Sequence, residues 1–318
     1  MGDEGGPTVS VCMPMARGAA AVETSVRSVL AQQLDDLEIL IGDETGAVQP
    51  LVESLGEARI SYHRNPHRLG FAANHTALLD RARGRYLAVL HDDDRWEPTY
   101  LSRLVAVLEA EPDVGLACCR PRLEAAGRPA EPWPVPIDAG RHDDLLETVL
   151  GEEWFLLVGA TVWRRSVWSG PARRWPDLCC ADLQFFVSAF EAGWPLYFLD
   201  EPLMVWTRHR GQSGAWRGED HGLTVAEDVL AFWDGWLAGR PARLAELSAP
   251  PRARWELRRA RALLLAGRRS AARHALDTAE ALGGADLDGL RRLRAAASVP
   301  PRLLGAAVSV KRMVTDRR

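Results

Sequence analysis

Lysine is almost missing from this chain: of 39 basic residues, 38 are arginine and only Lys311 is lysine. A GC-rich coding sequence accounts for that bias more simply than a mechanism does. Cysteine is scarce too. Cys12, Cys118, Cys119, Cys179 and Cys180 make an odd count with no Cys-x-x-Cys spacing, which argues against a disulfide framework and against a cysteine zinc site. Adjacent cysteines rarely bond each other, so buried apolar thiols in a reducing compartment are the expectation. No apolar run approaches the roughly 18–20 residues that span a bilayer. The acidic start Met1-Gly2-Asp3-Glu4-Gly5-Gly6 has no apolar core of a signal peptide, and residue 6 is not the Ser or Thr of a myristoylation pattern. The first apolar run is not followed by Gly-x-Gly-x-x-Gly, and Met13–Gly18 is not a basic, glycine-rich phosphate loop. These absences count against a dinucleotide oxidoreductase and a nucleotidyltransferase.

What is present is an ordinary globular balance. The chain has 318 residues, 47% apolar and 26% charged, with a net charge of −4. That charge argues against a general nucleic-acid coat, and it averages two unlike regions. From Pro251 onward there are 16 Lys+Arg against 6 Asp+Glu, whereas the first 250 residues carry 23 against 37. Tryptophan is abundant, with 12 in the chain and nine of them between Trp154 and Trp236.

The first 120 residues alternate between short apolar runs and helical periodicity. Val9–Met13, Leu37–Ile41, Ile60–Arg64, Tyr86–Leu90 and Val114–Cys119 read as buried strands. Helical spacing separates them, as at Val22, Val26, Val29 and Leu30, and at Leu101, Leu104, Val105 and Leu108. Such alternation predicts a mostly parallel sheet with helices on both faces, where ligands bind at the carboxyl ends of the strands. Pro121–Pro136 reads as a loop or hairpin, Phe155–Trp163 as a buried strand, Asp182–Ala192 as a helix, and Leu196–Leu199 and Leu203–Thr207 as two short strands. From Leu223 the pattern is helical and rich in Ala and Arg, and Arg252–Gly267 with Ser270–Leu282 suggests an antiparallel helix pair. The expected division is therefore an α/β region over 1–222 and a helical region over 223–318.

Both acidic clusters fall at predicted strand ends. His91-Asp92-Asp93-Asp94 follows the fourth strand, and Asp43-Glu44 follows the second. Three consecutive carboxylates repel one another and need either solvation or a cation, and hard divalent ions favour oxygen ligands. An acidic, solvated turn ahead of the next helix explains the same residues equally well.

Val9-Ser10-Val11-Cys12-Met13-Pro14, then Ser28-Val29-Leu30-Ala31-Gln32-Gln33, then Glu38–Glu44 resembles the opening of family 2 glycosyltransferases of the GT-A fold. Asn65, Leu69-Gly70-Phe71 and Asn74 continue the likeness, as does Gly84–Asp94 with Trp96 and Pro98 following. It runs on more loosely to about Ser213 and leaves out the last hundred residues. The fold implied is α/β, a GT-A type mostly parallel sheet flanked by helices, with a C-terminal helical extension.

The resemblance implies roles by position. Asp92–Asp94 looks like the DXD element, with Asp93 as principal metal ligand, Asp92 toward the ribose or the metal shell, and Asp94 supporting either. Pro14, Asp43, Glu44 and Asn74 join Asp92 on the nucleotide-sugar side. Glu44 replaces a more usual Asp. Arg17 falls where the family's aromatic base-stacking segment ends, and could meet the base or phosphate. Asp182 matches the later acidic motif that supplies the general base, although Ala181 replaces its usual Glu; a helix cap is the plain alternative. Pro202–His209 resembles the closing element, which puts His209 toward the metal or diphosphate and Arg208 near phosphate. Trp154, Trp163 and Trp206 are the acceptor-side candidates, whereas Trp233 and Trp236 read as packing residues.

The function implied is an inverting, Mn²⁺- or Mg²⁺-dependent transferase. It would move a sugar from a UDP, GDP or dTDP donor to a hydroxyl acceptor: a saccharide, a lipid-linked glycan or a secondary-metabolite aglycone. A non-catalytic nucleotide-sugar-binding scaffold of the same fold is the alternative. No nucleic acid partner is expected. The expected location is the cytoplasm. The basic C-terminal region, with Leu303–Met313 at its end, leaves open a peripheral contact with the inner face of a membrane or with a protein, and a homo-oligomer is also open.

Overall fold

A computed structural model of the chain describes residues 5–125, 128–152, 155–169, 180–208, 221–283 and 289–298. Trp154, Cys179, His209 and the tail Leu303–Met313 lie outside the described residues. The chain forms two compact units: residues 1–146 with 154–212, and residues 147–153 with 213–318. A short segment from the middle of the chain, residues 147–153, joins the second unit.

The first unit is built on one ten-stranded sheet. Strands β1 (Val9–Met15), β2 (Leu37–Asp43), β3 (Ile60–Arg64) and β4 (Tyr86–Val89) form its parallel half, in spatial order β3-β2-β1-β4. Helices α1 (Ala19–Leu30), α2 (Gln49–Leu55) and α3 (Phe71–Leu79) make the crossovers. Every residue of β1 and β2 is buried, as befits central strands covered on both faces. Val22, Val26 and Val29 turn one apolar face of α1 into the core. Pro50 sits in the first turn of α2, and Gly56 closes it in the left-handed conformation.

Beyond β4 the sheet becomes mixed. Strand β5 (Arg95–Trp96), helix α4 (Tyr100–Ala110) and strand β6 (Leu116–Ala125) come next in the chain. The order from β4 outward is then β9 (Thr161–Arg164), β6, β10 (Leu196–Arg208) and β5, with β9 antiparallel to both its neighbours and β6 parallel to β10. Strand β7 (Glu131–Pro132) folds back on β6, so Pro121–Pro136 contains a hairpin. Strand β8 (Gly140–His142) pairs with the start of β10. Two expectations need correction. Phe155–Trp163 is not one strand: a single helical turn at Val158–Ala160 precedes β9. The two expected strands at 196–207 are one long strand, because a shift of register between Leu199 and Met204 absorbs the Glu201-Pro202 interruption. Helix α6 (Ala181–Glu191), between β9 and β10, buries Phe185, Phe186, Ala189 and Phe190.

The second unit is helical. Most of helix α5 (Leu146–Gly151) belongs to it, with α7 (His221–Leu237), α8 (Ala242–Leu247), α9 (Ala249–Leu265), α10 (Arg269–Ala281) and α11 (Leu290–Ser298). The expected helix pair is α9 and α10, turned at Gly267 with φ of 73°. Leu257, Ala260, Leu263, Ala272, Ala275, Leu276, Leu290 and Leu293 form their shared core with α11. Alanine at Ala260, Ala272 and Ala275 lets the helices approach closely, while Arg258, Arg261, Arg268, Arg273, Arg291 and Arg292 stay exposed.

Cys12, Cys118 and Cys119 are buried free thiols, and Cys180 is buried as well. Burial pushes Cys119 up to about 12.

Candidate active site

The carboxyl ends of β1, β2 and β4 share one rim. Met15 pairs with Asp43 in the parallel register, and Leu90, just past β4, donates its N–H to Cys12 O. Asp43, the loop after β1 and the acidic turn after β4 therefore open on the same edge, as the topology of such sheets requires.

Asp43 does not face outward. Its carboxylate is fully buried and accepts from Thr45 N, Thr45 Oγ1, Gly46 N, Val48 N and Tyr62 Oη at 2.8 to 3.0 Å. Burial alone would raise this carboxyl, but the donors outweigh it and hold it below its usual range. Asp43 thus fixes the turn that presents Glu44. Glu44 accepts from Asn65 Nδ2 at 2.9 Å and from Gly70 N at 3.3 Å. Asn65 Nδ2 also donates to Asn74 Oδ1, and Asn74 Nδ2 to Gly42 O at 3.0 Å. Gly42 is required here: a Cβ would meet Asn74 Oδ1 at 2.3 Å. Asn74 is buried and joins the 65–70 loop to the rim.

The three aspartates after β4 point in different directions. Asp92 Oδ2 accepts from Ala16 N at 2.8 Å, and its Oδ1 lies 3.3 Å from Arg17 Nε. Asp93 Oδ2 lies 3.2 Å from an Arg17 terminal nitrogen. Asp94 is buried, and its Oδ1 accepts from Thr207 N at 2.9 Å, which ties the end of β10 to the rim. Burial, then the Asp93 charge, carries Asp94 up to about 6 against the pull of His91 and Thr207 N. Burial likewise raises Asp92, with Asp93 adding to it against Ala16 N and Arg17.

His91 stands between this cluster and α3. Its Nδ1 is 3.8 Å from Asp94 Oδ2, and its Nε2 is 3.0 Å from His75 Nε2. His75 Nδ1 is 2.6 Å from Phe71 O. Burial works against a charged His91, but Asp94, then Asp93 and Asp182, outweigh it and raise it. Burial and the neighbouring His91 hold His75 well below the usual range. Asp182 is buried in the first turn of α6, where its Oδ1 accepts from Leu183 N at 3.0 Å.

The aromatic candidates separate. Trp206 is half-buried near the end of β10, edge-on to Trp133 at 5.0 Å between centroids, with the Arg208 guanidinium 6.0 Å above its ring. Trp163 is fully buried on β9, 4.9 Å from the Phe185 ring. A side chain so placed fills the core and offers no face to an acceptor, which corrects the expectation for it. Pro14 is buried within β1 and shapes the rim through the strand rather than through a side chain open to ligand. Tyr62, Asn65, His75 and Trp133 are the residues of this region that sequence reasoning gave no site role. Asn65 lay within the family-like segment, but only the folded loop shows what it joins.

Residues 10–140 match the family model described as glycosyl transferase family 2. The match covers less than half of the chain. The chain is 30% identical over 92 residues to the Escherichia coli UDP-Glc:alpha-D-GlcNAc-diphosphoundecaprenol beta-1,3-glucosyltransferase WfaP, covering 28% of this chain and 37% of that protein. The chain spans less than half the length of the curated relatives it matches. Two solved structures share the fold. One is Staphylococcus aureus TarS 1–349 in complex with UDP-GlcNAc, with TM-score 0.63, 13% identity, and 91% and 90% of the two chains covered. The other is the Pyrobaculum calidifontis mannosyltransferase PcManGT in complex with GDP-Man and Mn²⁺, with TM-score 0.58, 17% identity, and 98% and 85% covered. The fold is thus the α/β GT-A type, with helices following it.

The donor set bears on the metal. Among the described residues no group of three His, Cys, Asp or Glu side chains gathers to cage an ion. Asp92 and Asp93 supply hard oxygen ligands that are 11% and 10% exposed, and Asp94 is turned away to Thr207. This fits an ion such as Mg²⁺ or Mn²⁺ that takes one or two carboxylates and leaves the rest of its shell to phosphate and water. It does not fit an all-protein cage.

Proposed function

We propose that the protein is an inverting, metal-dependent glycosyltransferase that moves a sugar from a nucleotide-diphosphate donor to an acceptor hydroxyl. The observation that carries this reading is the convergence of Asp92 and Asp93 with the Asp43–Glu44 turn on one rim of a family 2 sheet. The nucleotide side would rest on Glu44, on Asn74 through the loop it holds, and on Asp92. Asp93, with Asp92, would hold the Mn²⁺ or Mg²⁺. That ion would stabilise negative charge on the leaving diphosphate. Asp94 would act as a positioning residue, keeping the end of β10 beside the cluster. Arg208, exposed at that strand end, would offset phosphate charge, and Trp206 with Trp133 would flank the acceptor.

Asp182 is the proposed base. A carboxylate can accept the acceptor hydroxyl's proton as that oxygen attacks the anomeric carbon and the bond to the diphosphate breaks. The mechanism needs no covalent enzyme intermediate. A lipid-linked glycan is the favoured acceptor class, supported by the diphosphoundecaprenol in the name of the WfaP relative. Peripheral membrane contact through the Arg-rich helices would follow from it. Liposome flotation of the full chain on anionic vesicles tests that part, and absence of flotation removes it.

Donor hydrolysis and transfer, measured with and without EDTA, test the chemistry. Transfer should need the divalent ion and should fall at least about a hundredfold in Asp182→Ala. Undiminished turnover in that variant would remove the base assignment. Tight nucleotide-sugar binding without turnover on any acceptor would favour a scaffold instead, in keeping with Ala181 beside Asp182.

A further inference from the structure

We propose that Arg17 is a built-in counter-ion, which competes with the divalent cation for Asp92 and Asp93 and passes to the donor diphosphate when the nucleotide binds. This rests on the metal-dependent reading above. It assigns Arg17 a role in controlling that site, beyond contact with donor.

The geometry separates two functions within two residues. Ala16 tethers the loop after β1 to Asp92 through its backbone, N to Oδ2 at 2.8 Å. The Arg17 side chain then spreads its fork over both acids, Nε to Asp92 at 3.3 Å and a terminal nitrogen to Asp93 at 3.2 Å. The side chain is 23% exposed, so solvent reaches it while it spans the two acids. The tether is backbone and the counter-charge is side chain. The guanidinium can therefore leave while the loop stays in register. Gly18 follows, and no described residue outside its own neighbours lies within 4 Å of where a Cβ would stand.

Competition follows from elementary electrostatics. A guanidinium is charged at every accessible pH, and it occupies carboxylate oxygens that an ion of type Mg²⁺ or Mn²⁺ would need. Entry of the ion must displace it or accept its repulsion at close range. The displaced fork then faces an incoming diphosphate, whose oxygens match it as well as a carboxylate does. Nucleotide binding thus relieves the competition, and metal and nucleotide become positively coupled through Arg17, reciprocally as linkage demands.

The test reads Mn²⁺ binding, not turnover. Free Mn²⁺ is titrated by its electron paramagnetic resonance signal into the full chain, as wild type, Arg17→Gln and Arg17→Lys, each checked by thermal melting. Without nucleotide, Arg17→Gln should bind Mn²⁺ about tenfold more tightly than wild type, and Arg17→Lys, which keeps the charge, should stay near wild type. With saturating UDP, GDP or dTDP, the gain in Mn²⁺ affinity should be several-fold larger in wild type than in Arg17→Gln. Equal Mn²⁺ affinities in wild type and Arg17→Gln, or an Arg17→Lys as tight as Arg17→Gln, would overturn the proposal and leave the metal-dependent reading standing. Loss of Mn²⁺ binding in all three proteins, with and without nucleotide, would overturn both.

Discussion

At the amino end of the parallel strands, Glu38 on β2 accepts from Ser10 Oγ at 2.6 Å, from Arg83 N at 2.8 Å and from both Arg83 Nε and a terminal nitrogen at 3.0 and 2.7 Å. At the carboxyl end of the same strands, the Arg17 guanidinium lies 3.2 to 3.3 Å from Asp92 and Asp93. Burial alone would raise Glu38, but Ser10 and Arg83 outweigh it and hold it low, whereas Asp92 and Asp94 end above their usual range. Both ends also use a glycine for close approach. A Cβ at Gly84 would meet Ser10 N at 2.3 Å, and one at Gly42 would meet Asn74 Oδ1. One end of the sheet satisfies its carboxylate and gains stability. The other crowds its carboxylates where topology opens a ligand edge, and there Asp92 and Asp94 end above their usual range.

The comparison breaks most readily through exchange of the two ends' expected phenotypes. Asp93→Ala should lower transfer on the order of a thousandfold while the melting temperature stays within a few degrees of wild type. A variant that lost stability instead would place Asp93 with Glu38 as a structural acid. Glu38→Ala should do the opposite. It removes a charged acceptor from four hydrogen bonds and should destabilise the fold by about 2–3 kcal/mol, toward the lower figure because Arg83 is largely exposed and can rehydrate. Its specific activity at low temperature should be unchanged, and denaturant melts with activity assays on the same samples read both quantities.

Much of this contrast was legible in the sequence, because it lies in local patterns. The alternation through residue 120 specified β1 to β4 and the rim on which Asp43 and Asp92–Asp94 open. What could not be read depends on distant partners. Asp94 reads as one carboxylate of three until Thr207, 113 residues later, donates its N–H to it. Glu201-Pro202 reads as a break, because the shift of register that lets β10 continue past it depends on β6 beside it. Trp163 and Trp206 are the same side chain to a composition argument. Only the placement of β9 inside the sheet buries the first, while the second stays half-buried beside Trp133. The placement of β9 itself reverses the parallel pattern after β4, and no local signal in Thr161–Arg164 announces it.

A finer distinction comes from acid. Glu38 is held below its unfolded value, so it binds fewer protons in the folded state. Its stabilisation is therefore complete above the unfolded carboxylate pKa of about 4.3 and is lost as pH falls through the lower folded value. Melting temperatures of wild type and Glu38→Gln should differ by a constant amount from neutral pH down to about 5, then converge as the pH drops further. A gap that widened on acidification would reverse the sign and with it the claim that Glu38 is a satisfied acid.

The smallest effect is the most discriminating for the other end. Asp92 is buried beside Asp93, and burial with that repulsion raises its carboxyl despite Ala16 N and Arg17. Ionised Asp92 is therefore a net liability to the folded state near neutral pH. Asp92→Asn keeps the shape and an acceptor oxygen for Ala16 N while removing the charge. In the presence of EDTA it should be as stable as wild type or more stable, by up to about 1 kcal/mol, while transfer falls. Glu38→Gln, the same chemical change at the other end of the sheet, should lose stability and keep transfer. The opposite signs of these two amide substitutions, measured by melting in one metal-free buffer, isolate the effect of position from that of residue type. Equal signs would mean that both ends are held by ordinary ion pairing, and that the carboxyl rim carries no charge in reserve for a ligand.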